Sequence, residues 1–274
     1  MIIKMPPFLF LQGLGRSFLK GSAFLGSITL FAIRSIYYCL KPPFYMRQII
    51  RQLQEIGFYS LPVVGLTAIF TGMVLALQSY TGFSRFSGEG AVATVVILSM
   101  TRELGPVLAG LMVAGRVGAS MAAEIGTMRV TEQIDALTTL STNPFQYLVV
   151  PRLLAGIIML PFLVLCADAI GVFGGYLIGV HKLGFNPALY LDQTFKYLEA
   201  EDVISGLIKA SVFGFIIPIF FALKRRAFSI NKIIAYNIFT ILFIFTISTL
   251  IDKSIEMYES RFGLNINKSI AAAE

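Results

Sequence analysis

Arg102, Glu103, Arg116, Asp168 and Lys209 stand inside long apolar stretches of this chain. A charged side chain in the hydrocarbon of a bilayer costs about 3 kcal/mol or more, so such residues turn toward a bundle interior or a wet cavity and pair there. At helical spacing Glu103 falls within about 20° of Gly110 and Ala114, on a face of small residues. Lys209 adjoins a similar stripe, Gly206, Ala210 and Gly214. Two compatible readings follow. One is a structural network that pairs Glu103 with Lys209 and Asp168 with Arg102. The other is a polar patch in a greasy cavity, where Arg102 and Lys209 hold a phosphate head group and Glu103 balances the charge when the site is empty. Arginine suits phosphate because its planar fork donates two parallel hydrogen bonds.

A second constellation lies at 124–137. Ile125, Met128, Ile134 and Leu137 recur at helical spacings, with Glu124, Arg129, Glu132 and Asp135 between them. Acidic groups beside an anionic leaflet are unfavourable without a compensating partner. A short acidic helix there reads as a docking surface for a cytoplasmic protein; a solvated surface helix is the plainer alternative.

Other chemistries are excluded. No G-x-x-x-x-G-K-[ST] run is present, so ATP has no phosphate loop in this chain. His181 is the single histidine, and Cys39 and Cys166 sit in apolar surroundings as packed thiols. No metal set and no Ser-His-Asp set can be assembled from these residues, and no catalytic residue is assigned. An intramembrane lipid-modifying enzyme would have to use Glu103 or Asp168 as its acid or base. A membrane scaffold that binds partners without transport is a further alternative.

The elements that must position these residues follow from composition. Hydrophobic residues make up 56% of the chain, charged residues 14%, and the mean hydropathy is +0.78. A soluble domain carries about 25% charged residues; this chain has too few to cover a water-facing surface. Apolar runs at roughly 57–80, 91–122, 149–180, 203–223 and 233–251 are long enough to span, and their continuity means helices. The fold class is therefore an all-α membrane protein. An N-terminal segment, 1–56, is interfacial, with an amphipathic helix from Ser22 to Leu40 stopped by Lys41-Pro42-Pro43. A transmembrane domain of about five helices occupies 57–251, with the 124–137 helix on its cytoplasmic side, and a polar tail occupies 252–274.

The net charge is +7 and the pI about 9.4. The basic residues cluster at the ends of apolar runs, which fits anionic lipid and not nucleic acid. With the N-terminus inside, the inner regions hold 13 Lys/Arg and the outer regions 6, and Lys224-Arg225-Arg226 fixes the fourth span. The positive-inside rule thus places the N-terminus in the cytoplasm and, with five spans, the C-terminus outside. Pro62, Pro106, Pro161 and Pro218 fall within the first four runs; each leaves a carbonyl that a neighbour or cavity water must satisfy. Small residues every fourth position, Gly110/Ala114/Gly118, Gly171/Gly175/Gly179 and Gly206/Ala210/Gly214, give flat stripes for close helix packing, within one subunit or against a second copy.

Arg102-Glu103-Leu104-Gly105-Pro106, Ala114-Gly115-Arg116-Val117-Gly118 and the run from Ala123-Glu124-Ile125-Gly126-Thr127 to Asp135-Ala136-Leu137 resemble the MlaE permease family. Gly72 to Gln78, Pro151-Arg152, Gly174-Gly175 and Ile208-Lys209 extend the resemblance, in order, from about residue 13 to about residue 217. After Ile217 the chain departs from the family pattern and turns Phe/Ile-rich. The resemblance implies the membrane subunit of an ABC transporter that moves phospholipid between a bacterial inner membrane and the outer envelope. It implies a homodimer, a separate cytoplasmic ATPase that binds the ATP, an outward-facing MCE-domain protein and, in some systems, a small STAS-domain protein. It assigns Arg102, Glu103 and Lys209 to the lining of the lipid cavity. It makes 124–137, with Glu124, Met128, Arg129, Glu132 and Asp135, the coupling helix that docks on the ATPase.

Overall fold

The computed structural model describes residues 7–84 and 91–222 and the isolated positions 246, 249, 250 and 253. The anticipated fifth span, 233–251, lies outside the described residues apart from three of those positions, and so do the Lys224-Arg225-Arg226 loop and nearly all of the 252–274 tail.

Ten α-helices are described. They are α1 (Pro7–Cys39), α2 (Met46–Leu53), α3 (Leu61–Phe83), α4 (Ala91–Ser99), α5 (Gly105–Val113), α6 (Ala119–Val130), α7 (Gln133–Thr139), α8 (Val150–His181), α9 (Pro187–Lys196) and α10 (Ala200–Ala222). One-turn π-helical segments at Gln54–Phe58, Met100–Leu104, Ala114–Gly118 and Phe145–Val149 join several of them end to end. Among the described residues, four continuous runs are long and apolar enough to cross a membrane: Met46–Phe83, Ala91–Val130, Phe145–His181 and Ala200–Ala222. The protein is a multi-pass, all-α membrane protein, and these runs carry the first four expected spans.

Helix α1 is not among the four. It already runs from Pro7, the first described residue, well before the expected Ser22. Near its end, Phe31 packs with Val149, Leu153, Ile219 and Ala222, and Ser35 is buried, while Leu30, Ile33 and Tyr37 face outward. This end of the helix thus buries one side against the bundle and leaves the other exposed.

Helix α8 is the centre of the bundle and packs on α3 and α10. Both crossings are backbone to backbone. A Cβ on Gly72 would strike the Gly171 carbonyl, and Gly156 and Gly214 face each other so closely that either Cβ would meet the other's carbonyl oxygen. Pro218 denies the Gly214 carbonyl its usual amide four residues on. A Cβ at Gly156 would stand 2.4 Å from that oxygen, so the close crossing covers the group the proline releases.

The two π turns in the second span set which side is accessible. Each inserts about one residue into the helical period. The accessible positions run 102–104, 107–108, 111–112, 115–116 and 119–120 along a single stripe, separated by buried pairs. From 103 to 116 the chain advances by roughly 13 residues, which without two inserted residues is about three α-helical turns. The insertions therefore bring Arg102-Glu103 and Arg116 into line on one face.

The 124–137 segment is not one helix. Helix α6 continues the second span to Val130; the chain then turns through Thr131 and Glu132, the latter left-handed at φ 57°, and α7 begins at Gln133. Val130 and Thr131 are β-branched and weak helix formers. The Thr131 and Glu132 amides close the helix end onto the carbonyls of Thr127 and Arg129. The expected coupling helix is a helix–corner–helix instead, and no residue of α7 is buried.

Candidate functional site

The site is built where α10 crosses the second span at Gly206. A Cβ there would come within 2.6 Å of the Thr101 carbonyl oxygen, so only glycine allows this approach. Asp202 and Lys209 lie one turn to either side of Gly206 on the same face of α10, directed at the π turn Met100–Leu104 that carries Arg102 and Glu103.

Lys209 is fully buried. Its Nζ donates to Glu103 Oε1 at 2.9 Å and to the Arg102 carbonyl at 2.9 Å. Pro106 has no amide hydrogen to return to that carbonyl four residues back, so the lysine fills a gap that the proline makes. A buried ammonium without such partners would cost several kcal/mol. Asp202 is also buried, and its Oδ1 accepts a charge-assisted hydrogen bond from Arg102 Nε. Its Oδ2 accepts the Glu199 amide at 3.3 Å, which fixes the carboxylate at the start of α10.

The result is a pair of crossed ion pairs with buried anchors and accessible heads. Lys209 and Asp202 are 0% and 2% exposed, whereas the side chains of Glu103 and Arg102 are 46% and 56% exposed. Neither terminal nitrogen of Arg102 meets an acceptor among the described residues. One guanidinium is thus held by its Nε and offers its terminal donors to the accessible stripe.

Glu103 and Lys209 meet as the sequence suggested; Arg102 and Asp168 do not. Asp168 comes from α8 and its carboxylate lies against Gly105, on the side of the second span that faces α8. Arg102 points instead to α10. Asp202 is the residue that sequence reasoning missed. Its spacing from Lys209, seven residues, puts both on one helical face, and that period was the available signal.

The residues expected to couple to an ATPase divide. Glu124 turns inward and pairs with the buried Arg152, Nη2 to Oε2 at 2.5 Å, while Arg152 also donates to the Leu148 carbonyl at 3.1 Å. Met128 is half-buried. Arg129, Glu132 and Asp135 are exposed around the α6–α7 corner. The packing glycines are used within the chain: Gly110 lies against Phe213, Gly118 against Phe221, Gly171 against Met100, Gly175 against Val96, and Gly206 and Gly214 at the crossings described above.

Residues 49–224, which include all four described spans almost entirely, match the family model described as Permease MlaE. The chain belongs to the MlaE permease family. Over 208 residues it is 65% identical to a probable ABC transporter permease protein of Rickettsia felis, covering 76% of this chain and 80% of the relative. It is 37% identical over 167 residues to the intermembrane phospholipid transport system permease protein MlaE of Haemophilus influenzae, covering 61% and 64% of the two chains. It is 35% identical over 193 residues to the chloroplastic protein TRIGALACTOSYLDIACYLGLYCEROL 1 of Arabidopsis thaliana, covering 70% and 55%. As a member of the MlaE family the chain is a permease of the ABC-transporter type. Arg102, Glu103, Asp202 and Lys209 all fall within the matched region.

Proposed function

We infer that this permease moves phospholipid across or out of a bacterial inner membrane, and that Arg102 and Lys209 hold the phosphate of the lipid as it passes. The observation that carries this reading is the Arg102 guanidinium: anchored through Nε on buried Asp202, beside the buried Lys209 and its half-exposed partner Glu103, with its terminal donors open to an accessible stripe. Arriving phosphate competes with Asp202 and Glu103 for the two cations. The carboxylates then serve as counter-charges that hold the cations when no lipid is bound. The Haemophilus relative, by its name a phospholipid transport permease, supports lipid as the substrate.

On this reading ATP is bound and hydrolysed by a separate cytoplasmic ATPase, which docks on the α6–α7 corner through Arg129, Glu132 and Asp135. Glu124 positions that corner by tying it to Arg152. The chain works as a homodimer in the inner membrane, N-terminus in the cytoplasm and C-terminus in the periplasm. It exchanges lipid with an MCE-domain protein, with a STAS-domain subunit as an additional partner.

The test is purification of the tagged full-length chain in mild detergent, with mass spectrometry of the bound proteins and lipids. A P-loop ATPase, an MCE protein and phospholipid in the eluate are expected, with phospholipid reduced for Lys209→Ala. Unchanged lipid content in that variant would leave the Lys209–Glu103 pair as a structural brace and overturn the phosphate role.

A further inference from the structure

Arg116 is a charged residue of the second span that neither the Arg102–Lys209 site nor the α6–α7 corner uses. It lies in the π turn Ala114–Gly118 and is exposed. Its Nη1 donates to Ser60 Oγ at 2.9 Å and to the Glu55 carbonyl at 3.4 Å. Those bonds hold one corner of the guanidinium. The opposite edge, Nε and Nη2, meets no acceptor among the described residues, and it is the edge that binds carboxylates and phosphates with two parallel hydrogen bonds. On the far side of Glu55, Arg51 Nε stands 3.9 Å from the carboxylate, with its own side chain 63% exposed. Arg51 faces the Glu55 carboxylate and Arg116 the Glu55 backbone carbonyl, so two arginines and one glutamate leave the cluster with one surplus positive charge.

Its depth is set by the first span. Arg51 and Glu55 precede, and Ser60 immediately precedes, the apolar helix α3 (Leu61–Phe83). The cluster therefore lies at the charged end of the first span, Met46–Phe83, just before its apolar helix. It shares the accessible stripe of the second span with Arg102. The two arginines are about 20 Å apart at 1.5 Å per residue. Between them the stripe presents Val107, Leu108, Leu111 and Met112, an apolar track.

We propose that Arg116, assisted by Arg51, is a second phosphate station, which binds the head-group phosphate of a phospholipid at the membrane-surface end of this stripe. The proposal rests on the lipid-transport reading of the Arg102–Lys209 site and extends it to a two-station track. A phosphodiester carries one negative charge and matches the surplus of the cluster. Ser60 and the Glu55 carbonyl hold the guanidinium in place before the lipid arrives, so its open edge needs little reordering to bind.

The experiment places a photo-crosslinking benzoylphenylalanine in the full-length chain at Ser120, one turn from Arg116, or at Leu108, beside Arg102. Cells are grown on radioactive phosphate, and labelled phospholipid captured by the chain is counted after irradiation. Capture is expected at both positions. Arg116→Gln lowers capture at Ser120 about tenfold, the loss expected of one charge-assisted hydrogen bond, and leaves capture at Leu108 unchanged. Undiminished capture at Ser120 in that variant would sink the proposal. So would displacement of the Ser120 label by millimolar inorganic phosphate in isolated membranes, which would make the ligand a soluble phosphate. Silence at Leu108 in the unsubstituted chain counts against the lipid-transport reading itself; silence at Ser120 alone counts only against the second station. Should Arg116→Gln fail to fold, Arg116→Lys keeps a charge and a donor for Ser60 but lacks the bidentate edge. Reduced capture at Ser120 is expected for the folded Lys variant, and full capture would overturn the role of that edge.

Discussion

Lys209 Nζ donates to the Glu103 carboxylate and to the Arg102 carbonyl, each at 2.9 Å, from a position with no solvent exposure. The two partners of this ion pair are therefore unequal. Removing the half-exposed Glu103 leaves a buried ammonium with one fewer acceptor, whereas removing Lys209 leaves a carboxylate that water can reach. Breaking a buried pair from one side costs about 3–5 kcal/mol, while an apolar residue of similar volume in place of the buried charge costs much less. Glu103→Ala should lower the detergent-solubilised melting temperature more than Lys209→Met does. The double variant should be more stable than Glu103→Ala alone. The reverse order would mean that the lysine is not the buried partner.

Asp202 holds Arg102 by its Nε. Asp202→Asn keeps an acceptor for the Glu199 amide but loses the carboxylate charge, and a hydrogen bond to a charged group contributes about 1.5–3 kcal/mol. The expected result is a folded protein whose Arg102 is released toward the stripe, with more phospholipid co-purifying per chain. A fall in bound lipid would assign Asp202 to positioning Arg102 for its ligand and not to competing with it.

The helix crossings give a direct packing test. A Cβ at Gly72 or Gly214 would run into a backbone carbonyl of α8, which cannot swing aside, whereas a Cβ at Gly82 meets nothing within 4 Å. Overpacking of this kind costs about 1–3 kcal/mol and more when backbone must move. Gly72→Ala and Gly214→Ala should melt several degrees below the parent, and Gly82→Ala close to it. Equal melting of all three would contradict the described crossings.

How much of this was legible beforehand varies by element. The first four spans were, because an apolar run of such length has only one backbone solution in lipid. The inward placement of Lys209 was also legible, since it lies beside a small-residue stripe; that of Glu103 was not, because the wheel sets it with Gly110 and Ala114, which are buried, whereas its side chain is 46% exposed on the accessible stripe. The partner of Arg102 was not. A helical wheel assumes an unbroken period, and the π turn at Met100–Leu104 changes the rotation of everything around it; nothing local in Met-Thr-Arg-Glu-Leu announces that extra residue. The pairing with Asp202 also depends on where α10 crosses, which Gly206 fixes only once its neighbour is known. The corner at Glu132 was hidden for a different reason. Left-handed backbone is usually marked by glycine or asparagine, and here a glutamate adopts it.

That glutamate supports the last prediction. A non-glycine residue in the left-handed region costs about 1–2 kcal/mol, so the corner is held against a local preference. Glu132 is exposed at the tip, and the corner's own bonds use its backbone, the amide donating to Arg129 and the carbonyl accepting from Asp135 and Ala136. Its side chain contributes no hydrogen bond to the fold among the described residues. Glu132→Lys should leave melting unchanged within about 0.5 kcal/mol, as surface substitutions usually do, yet abolish recovery of the ATPase with the tagged chain. Glu132→Gly should relieve the backbone cost and raise the melting temperature. Glu124→Lys should instead lower melting, because it faces the buried Arg152 with a like charge. Retention of the ATPase by Glu132→Lys would move the docking surface away from the α6–α7 corner, and a stable Glu124→Lys would contradict the Arg152 pair.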